Sequence, residues 1–204
     1  MQNEHEQGSQ DISHMPPQQN HGGHEVMDAH EAMSTLTGAL EQFLLYEEHI
    51  QDPTLQNMLN RQRAFLSALY NTLADTLKTG QDPSVKTQTY MMDQNNDVVY
   101  GMKPTPPKAP AQSSNEINDQ CVSSYMMGAV KACATGFTTA ALEVSNPVLR
   151  RVFADSVPNM IEMAYEIFLY QNKNQYYQVP QLQPQDMQAI LNSYAPIQGN
   201  HMTH

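Results

Sequence analysis

Tryptophan is missing from this chain, and only two of its 204 residues are cysteine. Basic residues are scarce as well: 10 Lys and Arg stand against 21 Asp and Glu, for a formal net charge of −11. So acidic a surface repels phosphate and argues against a nucleic-acid partner, whose affinity rests on Lys and Arg contacts. No apolar run approaches the length of a membrane span. The opening "MQNEHEQGSQDISHM" lacks a basic region followed by an apolar core, which implies synthesis in a cytosol without a signal peptide, and retention there unless another protein carries the chain elsewhere. Cys121 and Cys133 fall on one predicted helix, twelve residues and therefore roughly 18 Å apart. That exceeds the reach of a disulfide, so they are read as small buried thiols, with pairing between chains as the alternative.

What remains is rich in Met, Leu, Ala and Gln, a composition that suits a helical bundle better than a sheet. From Gly23, apolar residues recur at helical spacing: Val26, Met33, Leu36, Leu40, Phe43, Leu44 and Ile50. The pattern halts at "QDPTL", where Asp52 is an N-cap and Pro53 suits the first helical position. Leu55, Met58, Leu59, Phe65, Leu66, Leu69, Leu73 and Leu77 carry a second helix, ended by Gly80. A third begins near "SSNEIND", where Ser113 and Glu116 have capping-box spacing, and runs through Ile117, Tyr125, Val130 and Leu142. Asn146 and Pro147 repeat the Asp52 and Pro53 arrangement at the head of a fourth helix. Pro158, inside it, is expected to kink or restart it, with Asn159 and Glu162 at capping spacing.

Between the two helix pairs, residues 81 to 112 lose helical periodicity and carry prolines at 104, 106, 107 and 110. A long irregular connection is uncommon in a compact domain and calls for a purpose. Spanning the bundle is one: a 28-residue helix is about 42 Å long, and polyproline II covers that in about 14 residues. The expected fold is therefore all-α, a ferritin-like four-helix bundle of two helical hairpins joined by a long Pro-rich crossover, plus a short C-terminal helix near 185 to 194. The domain is placed at 22–195, with a disordered polar tail at 1–21 and a second tail at 196–204.

The stretch "HGGHEVMDAHEAM" at 21–33 has the residue types of a metal site. A ferritin-like di-iron centre needs Glu from two helices and Glu-x-x-His from the other two. The second helix has neither Glu nor His, and Gln62 stands at the middle of its stripe. The eight histidines, at 5, 14, 21, 24, 30, 49, 201 and 204, all avoid helices two to four. No conventional di-iron site, catalytic group or cofactor is expected. His24 with Asp28 is spaced to chelate, but Glu25 and Asp28 are preferred as acids set against the helix dipole. Glu162 and Glu166 share a strip with Asp155 and Asn159, read as a solvated face. Glu47, close to an apolar stripe, is expected to pair with an arginine. Met126, Met127, Met160 and Met163 are read as core, with a small-ligand cavity as the alternative.

The stretch "ALEVSNPVLRRVFADSVPNMIEMAYEIFLYQNKNQYYQVPQL", with "GGHE" at the start of helix one, resembles the spore coat protein F family of endospore-forming bacteria over roughly residues 22 to 195. The resemblance implies a ferritin-like helical domain, a place in the spore coat and no enzymatic activity. Its implied partners are other spore coat proteins or the chain itself, as in a homo-oligomer. Just past helix four, Lys173, Gln175, Tyr176, Tyr177 and Gln178 cluster groups suited to isopeptide or oxidative coupling, and form a candidate assembly or cross-linking surface. The alternative there is that both tyrosines pack the tail onto the bundle. The runner-up function is a metal-binding or oxidative ferritin-like protein with an atypical site.

Overall fold

Asp52 and Asn146 each end a tight turn and start a helix by the same device. The Asp52 carboxylate accepts the Thr54 N–H at 2.8 Å, and the Asn146 side chain accepts those of Val148 and Leu149 at 3.0 Å. A proline follows each cap, and Leu55 and Leu149, two residues further on, are both fully buried. These devices organise two helical hairpins. The structure, a computed structural model, describes residues 15, 16 and 20–197. The rest of the expected tails, 1–14, 17–19 and 198–204, lies outside the described residues. Helices α1 (Gly23–Glu47) and α2 (Pro53–Thr79) form the first hairpin, and α3 (Asp119–Glu143) and α4 (Pro147–Lys173) the second. A short α5 (Pro184–Leu191) follows, as expected near 185, and none of its residues is buried.

Polar contacts at the two ends set the helix directions. At one end Asn146 Nδ2 donates to the carbonyls of Asn20 and Gly80, gathering the start of α1, the end of α2 and the α3–α4 turn. At the other end Asp119 accepts the N–H of Gln51 at 2.9 Å, and the Tyr170 hydroxyl donates to Asp52 at 2.9 Å. Thus α2 and α3 run parallel on a diagonal, α1 packs on α2 and α3, and α4 on α3 and α2. Such an order requires one connection to travel the length of the bundle, which is the ferritin-like arrangement. Gly80 is in the left-handed region at φ 65, and a Cβ there would strike the Asn20 side chain. Asn20 is itself buried and caps α2 through the Thr79 carbonyl, so bundle contacts begin upstream of Gly22.

Four local expectations need correction. First, α3 starts at Asp119, capped by Asn118, which accepts the Cys121 N–H; a separate 3-10 turn occupies Ser114–Glu116 because Ile117 is extended. Second, the buried face of α3 is Val122, Met126, Val130, Cys133, Phe137 and Ala140, while Leu142 is 79% exposed. Third, α1 buries Ala29, Ala32, Leu36, Ala39 and Phe43 and leaves Val26 and Leu44 outside. Small residues face inward because the two helices approach closely: a Cβ on Gly136 would lie 3.9 Å from the Ala32 Cα. Fourth, α4 continues through Pro158 without restarting, and Asn159 is not a cap. Its Nδ2 instead donates to the Asp155 carbonyl at 3.1 Å.

Candidate functional site

The segment after Gly80 climbs the groove between α2 and α4 and is held there by polar side chains rather than by periodicity. Val85 receives a hydrogen bond from Thr72, and Tyr90 meets Phe65 edge to face at 5.4 Å. Glu166, read from sequence as part of a solvated strip, is fully buried under this strap. Its carboxylate accepts from Arg61, the Tyr90 hydroxyl, Gln62 Nε2 at 3.2 Å and the Asp93 N–H at 2.9 Å. Burial alone would push this carboxyl up. The hydrogen bonds from Asp93, Tyr90, Arg61 and Gln62 outweigh it and hold Glu166 below the ordinary carboxylate range. Burial and the adjacent carboxylate push the Tyr90 hydroxyl up, so it stays a donor.

Three side-chain amides fasten the strap as a neighbouring strand would. Asn159 accepts the Tyr90 N–H at 2.8 Å and donates to the Gln88 carbonyl at 3.0 Å. Asn172 accepts from Val99 N–H at 2.6 Å and returns a bond to the Val99 carbonyl at 3.0 Å. Gln178 accepts from Lys103 N–H and donates to its carbonyl. One parallel β-bridge between Tyr100 and Val179 continues the line. Each amide satisfies backbone groups that an irregular segment could not pair by itself. The only sequence signal for this was Asn159 and Glu166, seven residues apart and so on one face of α4, whereas Asn172 falls off that strip and Gln178 lies past the helix end.

The five residues expected to form an assembly surface stand at the end of this seam. Lys173, Gln175, Tyr176 and Tyr177 are exposed, and Gln178 is half-buried. Gln175 holds a positive φ of 61, turning the chain sharply off α4. Gln175, Tyr176 and Gln178 line a groove of about 580 Å3 with Pro106, Pro107 and Lys108 of the strap. Tyr177 leaves that cluster, packing edge-on against Phe168 at 5.5 Å, and Lys173 faces a different groove beside Asp93 and Asp97. Tyr176 meets Tyr170 edge-on, and burial followed by the carboxylates of Asp119 and Asp52 pushes its hydroxyl up. Tyrosine bodies are thus docked while their edges stay open to solvent.

At the other end, Glu25 departs from its expected role against the helix dipole. Gly22 is the N-cap with no side-chain bond, and the Glu25 carboxylate reaches the α3–α4 turn, accepting from Ser145 N–H at 2.7 Å, the Ser145 hydroxyl and Asn146 N–H at 3.1 Å. Burial opposes ionisation, but these bonds and His21 hold its carboxyl below the usual range. Glu47 pairs with Arg63 at 2.7 Å, as expected of it. Met126, Met160 and Met163 are fully buried in the core, and so is Cys133, whose thiol burial pushes up to about 12. At mid-bundle, where ferritin-like di-iron ligands converge, Gln62 and Arg61 meet Glu166 instead.

The class defined by this architecture is a strapped four-helix bundle, with the two buried carboxylates among the described residues, Glu25 and Glu166, spent on joining segments of its own chain. The chain belongs to the spore coat protein F-like family. It is 49% identical over 178 residues to the spore coat protein F-like protein YhcQ of Bacillus subtilis strain 168, covering 87% of this chain and 82% of that protein. The Coat F domain family matches residues 118–180, which span α3, α4 and the Gln178 clamp. A crystal structure of a Bacillus halodurans C-125 protein, provisionally described as a spore coat protein, shares the fold with a TM-score of 0.59 at 14% identity. The match covers 85% of this chain and 99% of that one. No described helix is long and apolar enough to cross a membrane.

Proposed function

We propose that this protein is a non-enzymatic structural component of the bacterial spore coat that works by assembling with itself or with other coat proteins. Membership of the spore coat protein F-like family supports it most directly. The assembly surface is the end of the bundle formed by Lys173, Gln175, Tyr176, Tyr177 and Gln178, lying within the matched domain. Its groups divide by availability. Gln178 is engaged with the Lys103 backbone in both directions, so Gln175 is the better acyl donor. In a transglutaminase-type reaction its carboxamide would exchange ammonia for a lysine ε-amine from a neighbouring chain, leaving one isopeptide bond and releasing ammonia. Tyr176 and Tyr177 would require a one-electron oxidant to couple.

Mass spectrometry of spore coat extracts tests this surface. Linked peptides containing residues 171–188, lost in Gln175→Ala or Tyr177→Phe strains, are the expected result. Coat extracts with no linked peptide from this region would remove covalent assembly, and coats unaltered by deletion of the protein would remove the structural role.

A further inference from the structure

We infer that His24, Asp28 and Glu143 form a surface site for a divalent transition-metal ion such as Zn2+, clipping the first turns of α1 to the end of α3. His24 and Asp28 are one helical turn apart, the spacing at which two side chains share one ion. The third group comes from 115 positions along the chain or more, and one ligand atom from each of the three lies within 4.8 Å of the others. This is the one such group among the described residues.

Two further observations point to a cation. Asp28 Oδ2 is sealed from solvent and has no hydrogen-bond partner, although His24 Nδ1 stands only 2.9 Å away. The two atoms are therefore in contact but misaligned for a hydrogen bond, an arrangement suited to ligands facing a common third atom. Glu143, meanwhile, ends α3 with no basic residue in that helix's last turn. A carboxylate at the negative end of a helix dipole, close to a second carboxylate, is unfavourable until positive charge arrives. One imidazole and two carboxylates match the donor set of zinc, for which bonds of roughly 2.0–2.2 Å need only small side-chain movements. His24 is 80% exposed, leaving room for water to complete the coordination sphere.

The test is titration of the full-length, chelator-washed protein with Zn2+ by calorimetry, alongside thermal melting with and without the ion. Wild type is expected to show one event tighter than any binding by its remaining histidines, and a melting temperature that rises with Zn2+ because the ion binds the folded state. Glu143→Gln changes no histidine. It should weaken the tight event by at least the roughly 10–100-fold that loss of a mere supporting group costs, and abolish the thermal shift. His24→Gln, at an exposed position that folding does not need, should do the same. Unchanged binding and thermal shift in Glu143→Gln, or no tight event in wild type, would overturn the site.

Discussion

Where α1 packs on α3, α1 buries the small residues Ala29, Ala32 and Ala39, and Gly136 of α3 sits close to the Ala32 backbone. Between α2 and α4 the groove is instead filled by the strap, and the contacts are Glu166, Asn159 and Asn172 against backbone N–H and carbonyl groups, with Arg61 donating to Glu166 and to the Tyr90 hydroxyl. The first side is closed by small residues, whose energy lies in dispersion and burial; the second is closed by hydrogen bonds in a dry setting. An irregular segment cannot pair its own backbone, so whatever covers it must bring matching polar groups. Small residues on one side and amides on the other are therefore consequences of what each side has to bury.

Breaking the polar side should cost most. Glu166→Ala leaves Arg61 without its buried partner and the Asp93 N–H unpaired, at a cost of about 3–5 kcal/mol. Denaturant unfolding measures that cost, and hydrogen exchange should show the strap amides of Tyr90 and Asp93 losing protection first. Overfilling the apolar side comes next: Ala32→Leu should destabilise by about 1–3 kcal/mol, with strap protection retained while the bundle stands.

Acid should separate the two sides more gently. Glu166 and Glu25 both have carboxyls held below the ordinary range, so their contribution is fully present above about pH 4.3, the unfolded value. It is lost as pH falls through the lower folded values. Melting temperature should therefore drop below about pH 4, and Glu166→Gln, less stable at neutral pH, should show a flatter profile. Smallest of all is Leu142→Gln on the exposed face of α3, expected to change stability by less than about 0.5 kcal/mol in the same unfolding assay. A larger loss would mean that α3 is phased as its large apolar residues suggest rather than as the structure has it.

Legibility followed the range of the interaction that decides each feature. Asp52–Pro53 and Asn146–Pro147 were readable because a cap and its proline act within three residues. The strap was readable from its prolines and from the length it must cover. Leu36, Phe43 and Val130 are buried as their spacing implies, but Val26, Leu44, Tyr125 and Leu142 are not, because Ala and Gly outrank larger residues where a second helix comes very near. Glu166 looked solvated because its partners Arg61, Tyr90 and Asp93 lie 73 to 105 positions away. At the exposed end, Lys173 to Gln178 were legible as a cluster of reactive types. Their division into Gln178 as clamp and Gln175 as free edge was not.

By itself the sequence determined four helices, their pairing into hairpins, the need for one long crossover, and the absence of di-iron ligands from the second helix. Those follow from local propensity, chain length and residue identity. Tertiary structure alone decided which carboxylates are buried, where the strap lies, and that Glu143 joins His24 and Asp28. The physical reason is that burial and charge pairing depend on neighbours brought together by folding, and a one-dimensional pattern carries no distance between segments more than a few turns apart.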